Sequence, residues 1–153
     1  ESRGLGDVYK RQAPARVSSR NIRDELLKED SLLPAIYLTQ KLDIAVVGIG
    51  YPNEKSAIMA TGYFKENEIE SLIDRKVAGE LCMQFYDIYG DTAPYKDDNN
   101  VIGMDISMLR SVPRSIGIAG GVEKLRAVRG AINGHYINTL ITDIECAEAL
   151  ISE

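Results

Sequence analysis

The sequence predicts an α/β domain: a parallel, Rossmann-like sheet in a three-layer arrangement. Three observations carry that expectation. Strand-like and helix-like patterns alternate along the chain. The run Asp43-Ile44-Ala45-Val46-Val47-Gly48-Ile49-Gly50 is apolar on both faces, as a strand buried within a parallel sheet requires. The connections are short, and strand–helix alternation with short turns favours a parallel sheet covered by helices on both faces.

Each element follows from its local pattern. Ser18 and Ser19 are N-cap residues for a first helix carrying Ile22, Leu26 and Leu27 on one side. A second helix starts near Asp30, with Pro34 early enough to be tolerated and Leu33, Ile36, Tyr37 and Leu42 repeating. After the strand at 43–50, residues 51–64 are mostly loop, punctuated by Pro52, Asn53 and Gly62. Residues 66–76 form an amphipathic helix with Ile69, Leu72 and Ile73 inward. Residues 77–86 form one strand, 87–100 a polar surface loop or hairpin, and 101–104 a short strand. Asp105 caps a short helix that carries Leu109 and ends at Pro113. Residues 114–119 are the next strand. Gly120-Gly121 then leads into a helix with Val122, Leu125, Val128 and Ile132 on one face, stopped by a left-handed cap at Asn133-Gly134. Residues 136–141 are the last strand. Thr142 and Glu145 have the capping-box spacing that starts a final helix with Ala147, Leu150 and Ile151 inward.

The 153 residues are 44% hydrophobic and 27% charged, enough for one core. No run of eighteen apolar residues exists, so a spanning helix is excluded, and no secretory leader pattern opens the chain. A cytoplasmic location is expected. Cys82 and Cys146 both sit in apolar settings and are expected to be buried, reduced thiols. The net charge of −5 and the lack of a basic stripe argue against this chain gripping nucleic acid by itself. Residues 1–12 look foreign. Asp7-Val8-Tyr9-Lys10-Arg11-Gln12 reads back as GAT GTG TAT AAG AGA CAG, the end of a transposon adaptor used in sequencing libraries. They are expected to be disordered and outside the fold, leaving residues 13–153 as the domain.

Ligands of open parallel sheets sit beyond the carboxyl ends of the strands. The strongest signal there is Gly117-Ile118-Ala119-Gly120-Gly121-Val122-Glu123-Lys124. A strand ends, two glycines turn and a helix begins, so backbone N–H groups and the Lys124 ammonium can meet one anion. That geometry suits a phosphate; an ordinary strand-to-helix turn with a solvated lysine fits the spacing equally. Val47-Gly48-Ile49-Gly50 resembles the start of a dinucleotide fingerprint, but Tyr51-Pro52-Asn53 replaces the required third glycine, which excludes nicotinamide and flavin. Gly48 and Gly50 remain a backbone wall for a small ligand, with Ser56 as a hydroxyl donor, or else a turn that needs small residues. Glu80 and Asn99 are short polar groups at strand ends that suit sugar hydroxyls, or serve as turn and cap residues. His135 lies in a turn, where loop packing is favoured over catalysis. No metal-ligand spacing, Gly-x-Ser-x-Gly elbow or Walker loop is present, so no catalytic residue, metal or cofactor is expected.

Six ordered stretches resemble the sugar-binding domain of SorC-type bacterial transcription regulators across residues 13–153. They are the run at 43–50; Gly62-Tyr63-Phe64; Val77-Ala78-Gly79-Glu80-Leu81-Cys82 leading to Phe85-Tyr86-Asp87; Val101-Ile102-Gly103; Pro113 through Gly121 with Lys124; and Ile137-Asn138-Thr139-Leu140-Ile141-Thr142-Asp143. The resemblance implies a fold like ribose-5-phosphate isomerase and glucosamine-6-phosphate deaminase, with a phosphorylated sugar as effector. It implies that Gly120, Gly121 and Lys124 hold the phosphate while Gly48, Gly50, Ser56, Glu80 and Asn99 face the sugar. It further implies DNA contact only through a helix-turn-helix head, and a homodimer or homotetramer of the full-length protein. This sequence has Gln84 where the family has arginine, Met83 for a glycine and Asn99 for an acidic residue. It also lacks the head and the first strand–loop–helix of the effector domain, so an unprotected sheet edge or apolar face is expected. An isomerase or deaminase sharing the fold is the competing class, with Glu80, Asp87 and His135 as candidates for its acid–base work.

Overall fold

The structure, a computed structural model, describes residues 13–53, 56, 58 and 62–152; the expectation for residues 1–12 lies outside them. Ser19 starts helix α1 (Arg20–Leu26) by accepting the Ile22 N–H. Helix α2 (Leu33–Thr39) has Pro34 in its first turn, where no donor is lost. Strand β1 (Ile44–Gly48) follows. Helix α3 (Glu66–Asp74) is held at its start by the Glu68 carboxylate, which accepts the Lys65 N–H at 2.9 Å. It buries Ile69 and Leu72, but Ile73, expected inward, is exposed because its turn ends at the surface.

The stretch expected as one strand is a hairpin instead: β2 (Gly79–Leu81) and β3 (Gln84–Tyr86) pair antiparallel. Cys82 and Met83 connect them, both at positive φ (53° and 63°), the arrangement of a two-residue type I′ turn. Cys82 is therefore exposed at a turn tip rather than buried; Cys146 is buried as expected. Residues 101–104 form no strand: Val101 makes one isolated bridge, to Arg16. Asp105 caps the 3-10 helix Ile106–Ser111 through the Ser107 N–H, as its position predicts.

Strand β4 (Arg114–Ile118) leads through the glycine turn and a 3-10 turn (Val122–Lys124) into helix α4 (Leu125–Asn133). Its C-cap differs from expectation. Gly134 keeps a right-handed conformation (φ −74°), and His135 takes the left-handed one (φ 56°). Strand β5 (Thr139–Ile141) precedes helix α5 (Ile144–Ile151), whose cap is Asp143 rather than Thr142. Asp143 Oδ1 accepts the Cys146 N–H at 2.8 Å, whereas Thr142 Oγ1 is buried without a partner among the described residues.

The three-stranded sheet is parallel in the order β1–β4–β5, so the parallel α/β class is borne out. Two apolar clusters flank the hairpin. Tyr86 joins Ala127, Val128, Tyr136 and Cys146 beneath the parallel sheet, and Phe85 joins Phe64, Leu72 and Tyr95 on the other side. Adjacent residues thus fill opposite cores, which strand alternation dictates for a hairpin buried on both faces.

Helices were expected on both faces of the sheet. Among the described residues, α4 and α5 cover the face that carries Ala45, Val47 and Leu140. The opposite face presents Ile44 (54% exposed), Val46 (61%), Ile118 (44%) and Ile141 (54%). Register puts them side by side, since Val46 pairs with Ile116, Gly48 with Ile118, and Ile118 with Ile141. Among the described residues nothing covers this apolar face.

Candidate functional site

The parallel register brings the carboxyl ends of β1, β4 and β5 into line, because Gly48, Ile118 and Ile141 lie across from one another. Beyond β1, Gly50 forms a bridge with Glu80 of the hairpin: Gly50 N–H donates to Glu80 O at 2.9 Å and Glu80 N–H to Gly50 O at 2.8 Å. Glu80 sits at a non-hydrogen-bonded pair of the hairpin, opposite Phe85, which leaves its backbone groups free to point at Gly50. Its side chain lies directly over Gly50, where any Cβ would strike the carboxylate. A side chain at position 50 would have to push the Glu80 carboxylate aside.

The Glu80 carboxyl is partly buried, and Oε2 accepts the Met83 N–H at 2.9 Å. Burial raises its pKa above the ordinary carboxylate value; the Met83 N–H and the Lys124 ammonium oppose that rise. Of the three influences on the Glu80 carboxyl, the attraction of the Lys124 ammonium is the smallest. Lys124 stands at the start of α4.

Gly121 takes φ +95°, a conformation side chains rarely adopt. Its N–H donates to Asp143 Oδ2 at 2.5 Å. The Asp143 carboxylate thereby ties the end of β4 to the first turn of α5.

The other expected residues lie differently. Asn99 is on the far side of the hairpin, where Oδ1 accepts the Phe85 N–H at 2.9 Å. It lines a separate cleft of about 160 Å³ with Arg20, Arg23, Gln84 and Lys96. Gln84 is buried and closes that cleft by donating to Met104 O (2.8 Å) and accepting the Ile106 N–H (3.1 Å). The Ser56 hydroxyl donates to Asn53 O at 2.6 Å. Asp87 is spent on its own loop, Oδ1 accepting the Tyr89 and Asp91 N–H groups. Asp143 was not expected at the glycine turn; its helix-capping spacing from Cys146 was the available signal. Arg20, Arg23 and Lys96 had no local signal, since the cleft joins segments about seventy residues apart in the chain. No cluster of three potential metal ligands occurs among the described residues, and no helix there is long and apolar enough to cross a membrane.

An α/β domain with polar groups gathered beyond its strand ends defines a class of small-ligand binders. Residues 5–152 match the family described as "Putative sugar-binding domain", and the chain belongs to it. It is similar to the sorbitol operon regulator of Klebsiella pneumoniae, 33% identical over 90% of this chain and 44% of that protein. It is also similar to the transcriptional regulator LsrR of Escherichia coli K12, 36% identical over 91% of this chain and 45% of that protein. Among solved structures, a probable sor operon regulator from Shigella flexneri superposes with a TM-score of 0.79 at 31% identity, covering 92% of this chain and 54% of that one. The full-length sorbitol operon regulator SorC from Klebsiella pneumoniae gives 0.74 at 35% identity, covering 90% and 44%. The chain thus spans about half the length of the curated relatives it matches, and these relatives are named as transcriptional regulators.

Proposed function

We propose that residues 13–153 are part of an effector domain that binds a phosphorylated sugar in a bacterial transcriptional regulator. The observation that carries this reading is the alignment of the strand ends, which sets the Gly50–Glu80 bridge beyond β1 and the Gly120-Gly121 turn leading to Lys124 beyond β4. A carboxylate accepts sugar hydroxyls, and an ammonium beside a glycine turn attracts a phosphate. In this reading Gly120, Gly121 and Lys124 take the phosphate and Gly48, Gly50 and Glu80 face the sugar. Ser56 and Asn99 have their side-chain oxygens engaged in local bonds, Asn99 in the separate cleft, and the reading does not rest on them. DNA contact belongs to a helix-turn-helix head of a full-length regulator acting in the cytoplasm as a homodimer or homotetramer. The domain is a sensor rather than an enzyme: Asp87 is held by its own loop and His135 sits in an exposed turn, away from acid–base partnership with Glu80.

Thermal-shift titration of this chain with sugar phosphates and their unphosphorylated counterparts tests the reading. Stabilisation by a phosphorylated sugar, abolished in Lys124→Ala, is expected. Equal stabilisation of both proteins would remove Lys124 from the site. Turnover of a sugar phosphate that disappears in Glu80→Gln would favour the enzyme class.

A further inference from the structure

The anion-binding turn already holds an anion. Asp143 Oδ2 accepts the Gly121 N–H, and Oδ1 accepts the Cys146 N–H at the start of α5. A Cβ on Gly120 would come within 2.8 Å of the same Oδ2, so this glycine is small to admit a carboxylate rather than to fit backbone. Lys124, the cation of the turn, makes no side-chain bond with Asp143 or Glu123 among the described residues. The donor most suited to a phosphate is therefore engaged while the neighbouring ammonium is left available.

We infer that Asp143 is an internal competitor for the phosphate at this turn. Its carboxylate and a ligand phosphate need the same Gly121 N–H, and two anions cannot share one donor at hydrogen-bond distance without strong repulsion. Binding must displace Oδ2 from Gly121. Because both oxygens of one carboxylate are fixed by N–H groups, losing one bond loosens the other, at Cys146. Asp143 thus sets the ligand affinity and passes ligand occupancy to helix α5. The inference rests on the assignment of this turn as the phosphate site.

Asp143→Asn and Asp143→Ser separate competition from capping, since asparagine and serine both cap helices without a charge. The full chain is titrated calorimetrically with inorganic phosphate, and the Gly121 and Cys146 amides are followed by NMR. Both variants should bind phosphate roughly tenfold more tightly than the unaltered chain, a change of about 1.4 kcal/mol. In the unaltered chain phosphate should shift both amides. Unchanged or weaker binding in both variants overturns the inference, as does a Cys146 amide that phosphate leaves in place. If phosphate binding is equal in all three proteins yet lost in Lys124→Ala, the phosphate site stands and the competition falls. If no protein binds phosphate, both fall.

Discussion

Glu80 should cost stability that its removal returns, and the return should depend on pH in a defined direction. Its carboxyl is raised by burial, so the folded state holds a proton more tightly than the unfolded state does. Between the unfolded and the raised folded value, folding takes up a proton, and stability falls as pH rises through that window. Above it the full penalty of the buried charge is present; below it the penalty is gone. Glu80→Gln keeps the shape and an acceptor for the Met83 N–H but removes the ionisable group. Each unit of raised pKa returns about 1.4 kcal/mol. The variant should therefore gain on the parent as pH rises through the window between the unfolded and the folded value, with a matching gain in Tm. Differential scanning calorimetry of both proteins across that range measures it. A parent that gains on Glu80→Gln with rising pH would mean the Lys124 attraction outweighs burial, and the reasoning would be refuted.

Three further outcomes follow from packing. Gly79→Ala places a Cβ 2.6 Å from Tyr86 Oη and 2.9 Å from Ala127 Cα, and should cost about 1–3 kcal/mol in urea denaturation, because backbone cannot yield as a flexible side chain would. Tyr86→Phe loses the 3.0 Å bond from its buried hydroxyl to Ala127 O and should cost about 1 kcal/mol by the same measurement. Cys82→Asn relieves a left-handed residue at an exposed turn and should raise stability by about 0.5 kcal/mol; a loss would mean that Cys82 packs favourably where it is.

Elements whose signal is local were legible in the sequence. Ser19 and Asp105 cap the helices they were expected to cap, and the glycine turn after β4 enters α4 as expected. The hairpin was hidden because its turn uses Cys82-Met83, which carries none of the Asn-Gly chemistry that announces a type I′ turn. Thr142 and Asp143 both had cap-forming side chains, and only the path of the chain decides that Asp143 reaches the Cys146 N–H. The C-cap of α4 was assigned to glycine on preference, yet His135 takes the left-handed conformation while Gly134 fits closely against Gly90 and Tyr136. For the site, Glu80, Gly50 and Lys124 were each singled out, but the bridge that joins the first two spans thirty residues and no local pattern encodes it. Asn99 lies apart from these groups because strand order within the hairpin, not position along the chain, puts it on the opposite side.

The uncovered sheet face divides the strands into two kinds of position for mutational work. Ala45, Ser115 and Gly117 point into packed surroundings, so changes there register as altered folding. Ile44, Val46, Ile118 and Ile141 are exposed among the described residues and form a contiguous apolar patch. Polar replacements at those four positions are expected to change self-association in light scattering and to leave the melting temperature nearly unmoved.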